Sequence, residues 1–260
     1  MWIAGLIALA VAGFCGYLIL KARKRQRKMI TTETFTAQEL RTLQTAAAEA
    51  AGPGVFRQQC EVAGTAQPSS SGVLKSEISA TECVWHKHVV TRKFWETERR
   101  RDSNGDYRNR RVEKKEKVAD RESEQAFLIT DETGSILVHP GKAVEGADKV
   151  VDRFEPEDEK EERTELSIGS FSLSLPKTRR EGTIGYEYEE WVLKPGRKLY
   201  VLGEAGDASG DLAIEAPSLV STKDEETLLR ETQSKQRLFL LGGVVAAVVG
   251  VVLIVIDVLR

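Results

Sequence analysis

His86 and His88 are the residues whose type and spacing come nearest to a catalytic or metal-binding pattern in this sequence. They stand two apart in a stretch rich in Val, Trp, Thr and Phe, so in a strand they share one face, as metal ligands would. A third ligand would have to come from elsewhere, from His139 or a carboxylate. The plainer reading is preferred: an ordinary strand with two partly exposed imidazoles. His86 and His88 are therefore only secondary metal candidates. No HExxH, GxSxG, phosphate-binding glycine loop or GxGxxG occurs. No serine or cysteine nucleophile has a base close by in sequence. The sequence thus nominates no catalytic residue and no cofactor.

Charge says more. Between Arg92 and Lys117 lie eleven Lys or Arg and six Asp or Glu residues. Arg99, Arg100 and Arg101 precede Ser103-Asn104-Gly105-Asp106, and Arg108, Arg110 and Arg111 follow it. Asn-Gly supplies the positive-φ residues of a tight hairpin turn, which puts the six arginines on two arms of one basic finger. Such a finger attracts anionic lipid headgroups or an acidic protein partner. Without any such role, the same charges keep a hairpin soluble and block edge pairing. Glu155 to Glu165 carry seven acidic and two basic residues and read as a mobile acidic loop, or as the neutralising partner of the finger. A formal net charge of −2 gives no reason to expect a nucleic-acid partner.

The elements that must position these residues begin with two apolar blocks. The mean hydropathy of −0.31 is that of a soluble protein, but the apolar residues are concentrated at the two ends. Trp2 to Leu20 and Leu238 to Ile256 contain no charge. At about 1.5 Å per residue each reaches roughly 28 Å, close to the hydrocarbon thickness of a bilayer. Nothing basic precedes the first block and a basic run follows it, unlike a signal peptide, so a retained transmembrane helix is expected. Lys21, Arg23, Lys24, Arg25, Arg27 and Lys28, with Lys235 and Arg237, favour a cytoplasmic middle domain and both termini across the membrane; Arg260 is the one opposing charge. Ala4, Ala8, Ala12 and Gly16 recur four apart on the first block, as do Gly242, Ala246 and Gly250 on the second. Small residues at this spacing let helices pack closely, within one chain or in a homo-oligomer.

Between the blocks the pattern changes. Residues 21–54 read as a basic collar and a short amphipathic helix. That helix is opened by the capping box Thr36-Ala37-Gln38-Glu39, carried by Leu40, Leu43, Ala47 and Ala50, and ended by Gly52-Pro53-Gly54. Residues 55–220 read as a β-rich domain. Its strands are expected at Val55–Ala63, Cys83–Thr97, Tyr107–Val118, Ala126–Thr130, Ser135–His139, Leu166–Leu175, Tyr186–Leu193, Lys198–Gly203 and Leu212–Glu215. Many short strands between turns predict a sandwich or barrel. Residues 222–237 read as a helix opened by a second capping box, Thr222-Lys223-Asp224-Glu225, running into the second span at 238–256. The class is α+β: two transmembrane helices flanking a mainly-β domain. Cys15, Cys60 and Cys83 form no CxxC pair, and Cys60 and Cys83 read as small core residues in a reducing compartment.

The segments Phe127-Leu128-Ile129-Thr130-Asp131-Glu132-Thr133-Gly134 and Glu189-Glu190-Trp191-Val192-Leu193-Lys194-Pro195-Gly196, then Leu199 and Leu202-Gly203-Glu204, lie in that order between two apolar spans. In this the chain resembles the GIDE domain, the membrane-adjacent domain of the MULAN/MAPL-type mitochondrial ubiquitin ligases, which also occurs in prokaryotic proteins. Physically these residues read as structural: a tight turn after a buried strand, and glycines suited to turns or close backbone approach. The ligases carry their activity in a zinc-binding RING beyond the second span. The three cysteines and three histidines here show no zinc-finger spacing, and the sequence ends at Arg260, so a RING-less member is expected. The resemblance implies either a membrane-tethered scaffold binding a protein or an anionic lipid surface, or a ubiquitin ligase whose RING a partner supplies. A prokaryotic plasma membrane is the expected location, although the mitochondrial members place this domain outside the cytosol.

Overall fold

A computed structural model describes residues 2–101, 107–142, 144–157, 165–174, 182–215 and 217–258. In chain order its elements begin with helices α1 (Trp2–Thr31) and α2 (Ala37–Ala51). There follow β1 (Arg57–Pro68), β2 (Leu74–Lys75), β3 (Glu82–Cys83), β4 (Trp85–Arg101), β5 (Tyr107–Glu122), β6 (Phe127–Thr130), β7 (Ser135–Val138) and β8 (Val144–Glu145). The remainder are β9 (Asp148–Pro156), β10 (Glu165–Ile168), β11 (Phe171–Ser174), β12 (Thr183–Leu193), β13 (Lys198–Gly206), β14 (Ala213–Ile214), β15 (Leu219–Ser221) and α3 (Glu225–Val258). The chain divides into two compact units, one of residues 1–35, 59–61 and 223–260, the other of 36–58 and 62–222.

In the first unit, α1 and α3 are long and apolar enough to cross a membrane. The expected collar is the last turns of α1 itself, since Lys21 to Lys28 contain no Gly or Pro to stop a helix. The two helices run antiparallel in close contact. A Cβ built on Gly250 would lie 3.0 Å from the Gly5 carbonyl oxygen, and one on Gly243 would lie 3.2 Å from Cys15 Cβ. Further along, the Gln236 amide donates to Gln26 Oε1 at 2.8 Å. Residues 59–61 pair with the chain just after α1, Glu61 N–H donating to the Glu33 carbonyl at 3.0 Å and Phe35 N–H to that of Glu61 at 2.8 Å. The cap of α3 sits two residues later than expected: Asp224 Oδ1, not Thr222, accepts the Thr227 N–H at 3.0 Å. The Thr222 hydroxyl is occupied elsewhere, donating to the Gly146 carbonyl at 2.8 Å.

The second unit resolves the choice between sandwich and barrel. Strands β1, β6, β7, β14 and β13 pair in that order, and β13 pairs back with β1, which closes a five-stranded barrel. Its register stacks buried side chains on one face. Ala66 lies opposite Ile129 and Ile129 opposite Ile136, while Phe127, Val138, Ile214 and Ala205 follow one another round the ring. All of them are essentially excluded from solvent. The chain packs closely at Gly203 on β13, where a Cβ would come within 2.9 Å of Pro217 Cα. A second, antiparallel sheet has the order β5-β4-β12-β9. One of its faces carries Val90, Ala119, Tyr186 and Tyr188, covered by Ile78 and by Leu166 and Phe171 of the β10–β11 hairpin.

Several expectations change. Leu166 to Leu175 is not one strand: Gly169, with φ +58°, turns the chain so that β10 pairs with β11. The acidic stretch is not wholly a loop, because Glu155 and Pro156 end β9 and Glu165 opens β10. The rest of it, residues 158–164, lies outside the described residues, as does the turn at 102–106. Strand β9 itself was hidden by its charges, Asp148, Lys149, Asp152 and Arg153, and pairs along β12 nonetheless.

Candidate functional site

Two places concentrate chemically capable side chains: the buried polar end of the second sheet, and the exposed ribbon at its other end. At the buried end, β4 and β12 pair His88 with Glu190 and His86 with Val192, so both imidazoles share a face with the carboxylate. That face is covered, which corrects the expectation of partly exposed rings: His86 is 6% exposed and His88 0%. His88 packs edge-on against Phe171, ring centroids 4.8 Å apart, and its Nδ1 lies 3.7 Å from Glu77 Oε2. Neither ring nitrogen of His88 has a hydrogen-bond partner among the described residues. Burial lowers the pKa of both imidazoles below the usual histidine range, against the pull of Glu77 and Glu190. Both rings are therefore neutral at pH 7.

Glu190, fully buried, is by contrast saturated. Its Oε1 accepts the Ile78 N–H at 2.8 Å, and its Oε2 accepts the Ser79 hydroxyl at 2.6 Å, the Ser79 N–H at 3.0 Å and the Ser76 hydroxyl at 3.0 Å. The carboxylate is a peg that holds residues 76–79 over the sheet. The nearby Cys83 thiol is pushed up to about 11 by burial and by Glu190, so it is not an activated nucleophile. Among the described residues no three His, Cys, Asp or Glu side chains form a group able to hold a metal ion. Among the described residues, the cluster brings no nucleophile within hydrogen-bond reach of His88.

The ribbon differs. Past the Thr183–Phe94 pair, β4 and β5 continue together from Trp95 opposite Glu113 to Arg101 opposite Tyr107. At about 3.4 Å per residue the two-stranded part is roughly 20 Å long. Cross-strand partners share a face. One face carries Trp95, Thr97, Arg99 and Arg101 opposite Glu113, Arg111, Asn109 and Tyr107. On it the Arg99 guanidinium lies over the Tyr107 ring, 4.7 Å from its centroid. Tyr107 is 62% exposed and Trp95 42%. The other face holds Glu96 and Glu98 with Val112, Arg110 and Arg108. There Lys114 Nζ reaches Glu98 Oε1 at 2.7 Å and also bonds Glu96, contacts that raise the lysine's pKa.

The six predicted arginines thus do not share one face of the ribbon. Arg99, Arg101 and Arg111 lie with two aromatic residues on one face, while Arg108 and Arg110 lie with two glutamates on the other; Arg100 occupies a register position opposite Arg108. Sequence reasoning did not single out Trp95 and Tyr107: a two-residue Asn104-Gly105 turn would set Arg101 opposite Arg108, whereas Arg101 lies opposite Tyr107, which brings Tyr107 onto the face of Trp95 and Arg99. In the helices, Ala8, Ala12 and Ala246 are half-buried and Gly250 is buried, while Ala4, Gly16 and Gly242 are exposed. Added Cβ atoms on Gly16 and Gly242 would meet nothing within 4 Å.

The residues of the recognisable segments are structural. Asp131 Oδ1 accepts the Thr133 and Gly134 N–H groups at 2.7 and 2.9 Å, and its Oδ2 accepts the Ala37 N–H at 2.8 Å. Gly196 turns the chain between β12 and β13 at φ +79°. The family model described as GIDE, E3 ubiquitin ligase, matches residues 95–255, well over half of the chain. No curated protein and no solved structure matches.

Proposed function

The chain belongs to the GIDE family, and from that premise we propose that it is a membrane-tethered, non-catalytic interaction module. In this reading α1 and α3 span a prokaryotic plasma membrane, and the β-rich domain lies in the cytoplasm with both termini outside. The face of the β4–β5 ribbon bearing Arg99, Arg101, Arg111, Trp95 and Tyr107 docks an acidic segment of a protein partner. The observation that carries this reading is the division of charge between the two faces of the ribbon. One face spends its carboxylates on Lys114. The other joins three arginines to two exposed aromatic rings with Glu113 as its one described acid. Arginine and aromatic residues together are what protein interfaces favour at their centres.

The non-catalytic half of the reading rests on how the buried polar groups are used. Glu190 holds a loop, Asp131 holds a helix, and the neutral His88 lies against Phe171. A second reading follows from the family's description: the chain is one subunit of a membrane-bound ubiquitin ligase, with the RING supplied by a partner. A ubiquitin-transfer assay with zinc analysis on the purified full chain separates the possibilities. The proposal expects neither transfer nor stoichiometric zinc from the chain alone. Transfer by the chain alone contradicts it, and transfer only after adding a RING protein that binds the chain supports the second reading.

A further inference from the structure

We propose that the groove between α1 and α3, where the apolar spans give way to basic residues, binds one anionic phospholipid with its phosphate between Arg23 and Arg237. The inference rests on the reading that these helices cross a membrane. The groove has a volume of about 190 Å³ and is lined by Ile19 and Arg23 of α1 and by Gln233, Gln236, Arg237 and Leu240 of α3. That is the scale of a headgroup rather than of a whole lipid.

The order of residues along the helices fits such a ligand. Ile19 lies in the last turn of the first apolar block and Arg23 one turn beyond it; Arg237 lies one turn before Leu240 at the start of the second. Antiparallel packing therefore puts two aliphatic side chains on the hydrocarbon side and two guanidinium groups on the water side of one groove. A guanidinium fork matches phosphate oxygens in a way an ammonium does not. Neither Arg23 nor Arg237 makes a hydrogen bond or ion pair among the described residues. The carboxylates of this stretch of α3 are engaged elsewhere, Glu226 with Arg230 and Glu231 with Lys223. Gln236 is held by Gln26, which leaves Gln233 for the ester or glycerol oxygens.

A wider groove of about 320 Å³ on α1, lined by Leu20, Arg23, Lys24, Arg27, Lys28 and Thr31, shares Arg23. It adds positive charge close by, which disfavours the choline of a zwitterionic lipid and favours a net negative headgroup. That groove uses a single helix, so it supplies general surface attraction, whereas the site proposed needs both helices.

The test is native mass spectrometry of the full chain in mild detergent, titrated with phosphatidylglycerol or phosphatidylcholine. The expected result is one retained phosphatidylglycerol per chain in preference to phosphatidylcholine. Retention should fall about tenfold or more in the Arg23→Gln, Arg237→Gln double variant. A charge-matched control in the β-rich domain, Lys194→Gln with Lys198→Gln, should keep most of it. Equal retention of the two lipids, equal loss in both double variants, or displacement of the lipid by inorganic phosphate would each overturn the site. Alkaline extraction of membranes holding the parent chain tests the spanning reading separately. Release into the supernatant defeats the tether itself, whereas a chain that stays in the membrane yet shows no lipid preference defeats only the groove.

Discussion

The carboxylate of Asp131, in the turn between β6 and β7, accepts the backbone N–H of Ala37 at 2.8 Å, the first helical residue of α2. Thr133 Oγ1 accepts the next N–H, from Gln38, at 3.1 Å, and Arg41 donates to the Ser135 carbonyl at 2.7 Å. The barrel's tightest turn thus completes the N-terminus of the helix, satisfying donors that the capping box of Thr36 and Glu39 leaves open. Burial alone would raise the Asp131 pKa, but hydrogen bonds from Thr133, Ala37 and Gly134 outweigh it and leave it lowered.

Asp131→Ala should accordingly loosen α2 more than it loosens the barrel. Losing an N-cap-type acceptor and the turn's own hydrogen bonds costs about 1–3 kcal/mol. Hydrogen exchange read by mass spectrometry should speed up over Ala37–Ala51 while Phe127, Ile129 and Ile136 stay protected. Unchanged exchange in α2 would contradict the role given to the turn.

Glu190→Gln should release the segment it holds. The amide nitrogen of glutamine would meet a backbone N–H of Ile78 or Ser79 where an oxygen now accepts, leaving a buried donor without a partner at a cost of about 1–3 kcal/mol. Proteolysis or hydrogen exchange should show residues 76–81 opening first. If the variant unfolds only globally, with no local opening, the peg reading is wrong.

His88 gives a pH dependence with a definite sign. Its folded pKa lies below the ordinary 6.5, so the unfolded chain binds the proton more readily than the folded one. Stability from this group is complete above about pH 6.5 and falls as the pH drops through the folded value. His86 acts in the same direction. In thermal unfolding, the acid-side loss between about pH 7 and 5 should be smaller in His88→Phe than in the parent. An identical slope in the two would show that His88 does not titrate on unfolding.

The packing of α1 on α3 can be trapped through a native cysteine. A Cβ on Gly243 would lie 3.2 Å from Cys15 Cβ, close to the roughly 3.5–4.5 Å of a disulfide. Gly243→Cys should therefore oxidise to a Cys15 cross-link, seen as a linked peptide by mass spectrometry. Gly242→Cys should not, since nothing lies within 4 Å of that position. A link from 242 rather than 243 would refute the register.

Legibility in the sequence follows the distance over which an interaction acts. The Thr36–Glu39 box sits within one turn and was readable, and it forms. The Asn-Gly turn implied an antiparallel finger, and β4 and β5 do pair antiparallel, but Arg101 lies opposite Tyr107 and not opposite Arg108, one residue away from the register that a two-residue turn at Asn104-Gly105 gives. Barrel closure was not readable, because β7–β14 is a parallel pair of two residues and β1 meets β13 across most of the domain. Alternation put His86 and His88 on one face but could not say that Ile78 and Phe171 would cover that side of the sheet. Only part of each small-residue stripe faces the other helix, for a geometric reason. A strict four-residue repeat drifts about 40° round the helix at each step, so Gly16 has left the line that Gly5, Ala12 and Cys15 present to α3.

The central claim is that one face of the β4–β5 ribbon is a docking surface, and photo-cross-linking in membranes tests it most directly. A photoreactive residue placed at Tyr107 of the full chain should give a discrete protein adduct, and one at Val112 on the opposite face should not. Exchanging Arg99, Arg101 and Arg111 together for glutamine should abolish the Tyr107 adduct while the chain stays membrane-bound and folded. Equal adducts from both faces, or a Tyr107 adduct indifferent to the loss of the three arginines, would contradict the account.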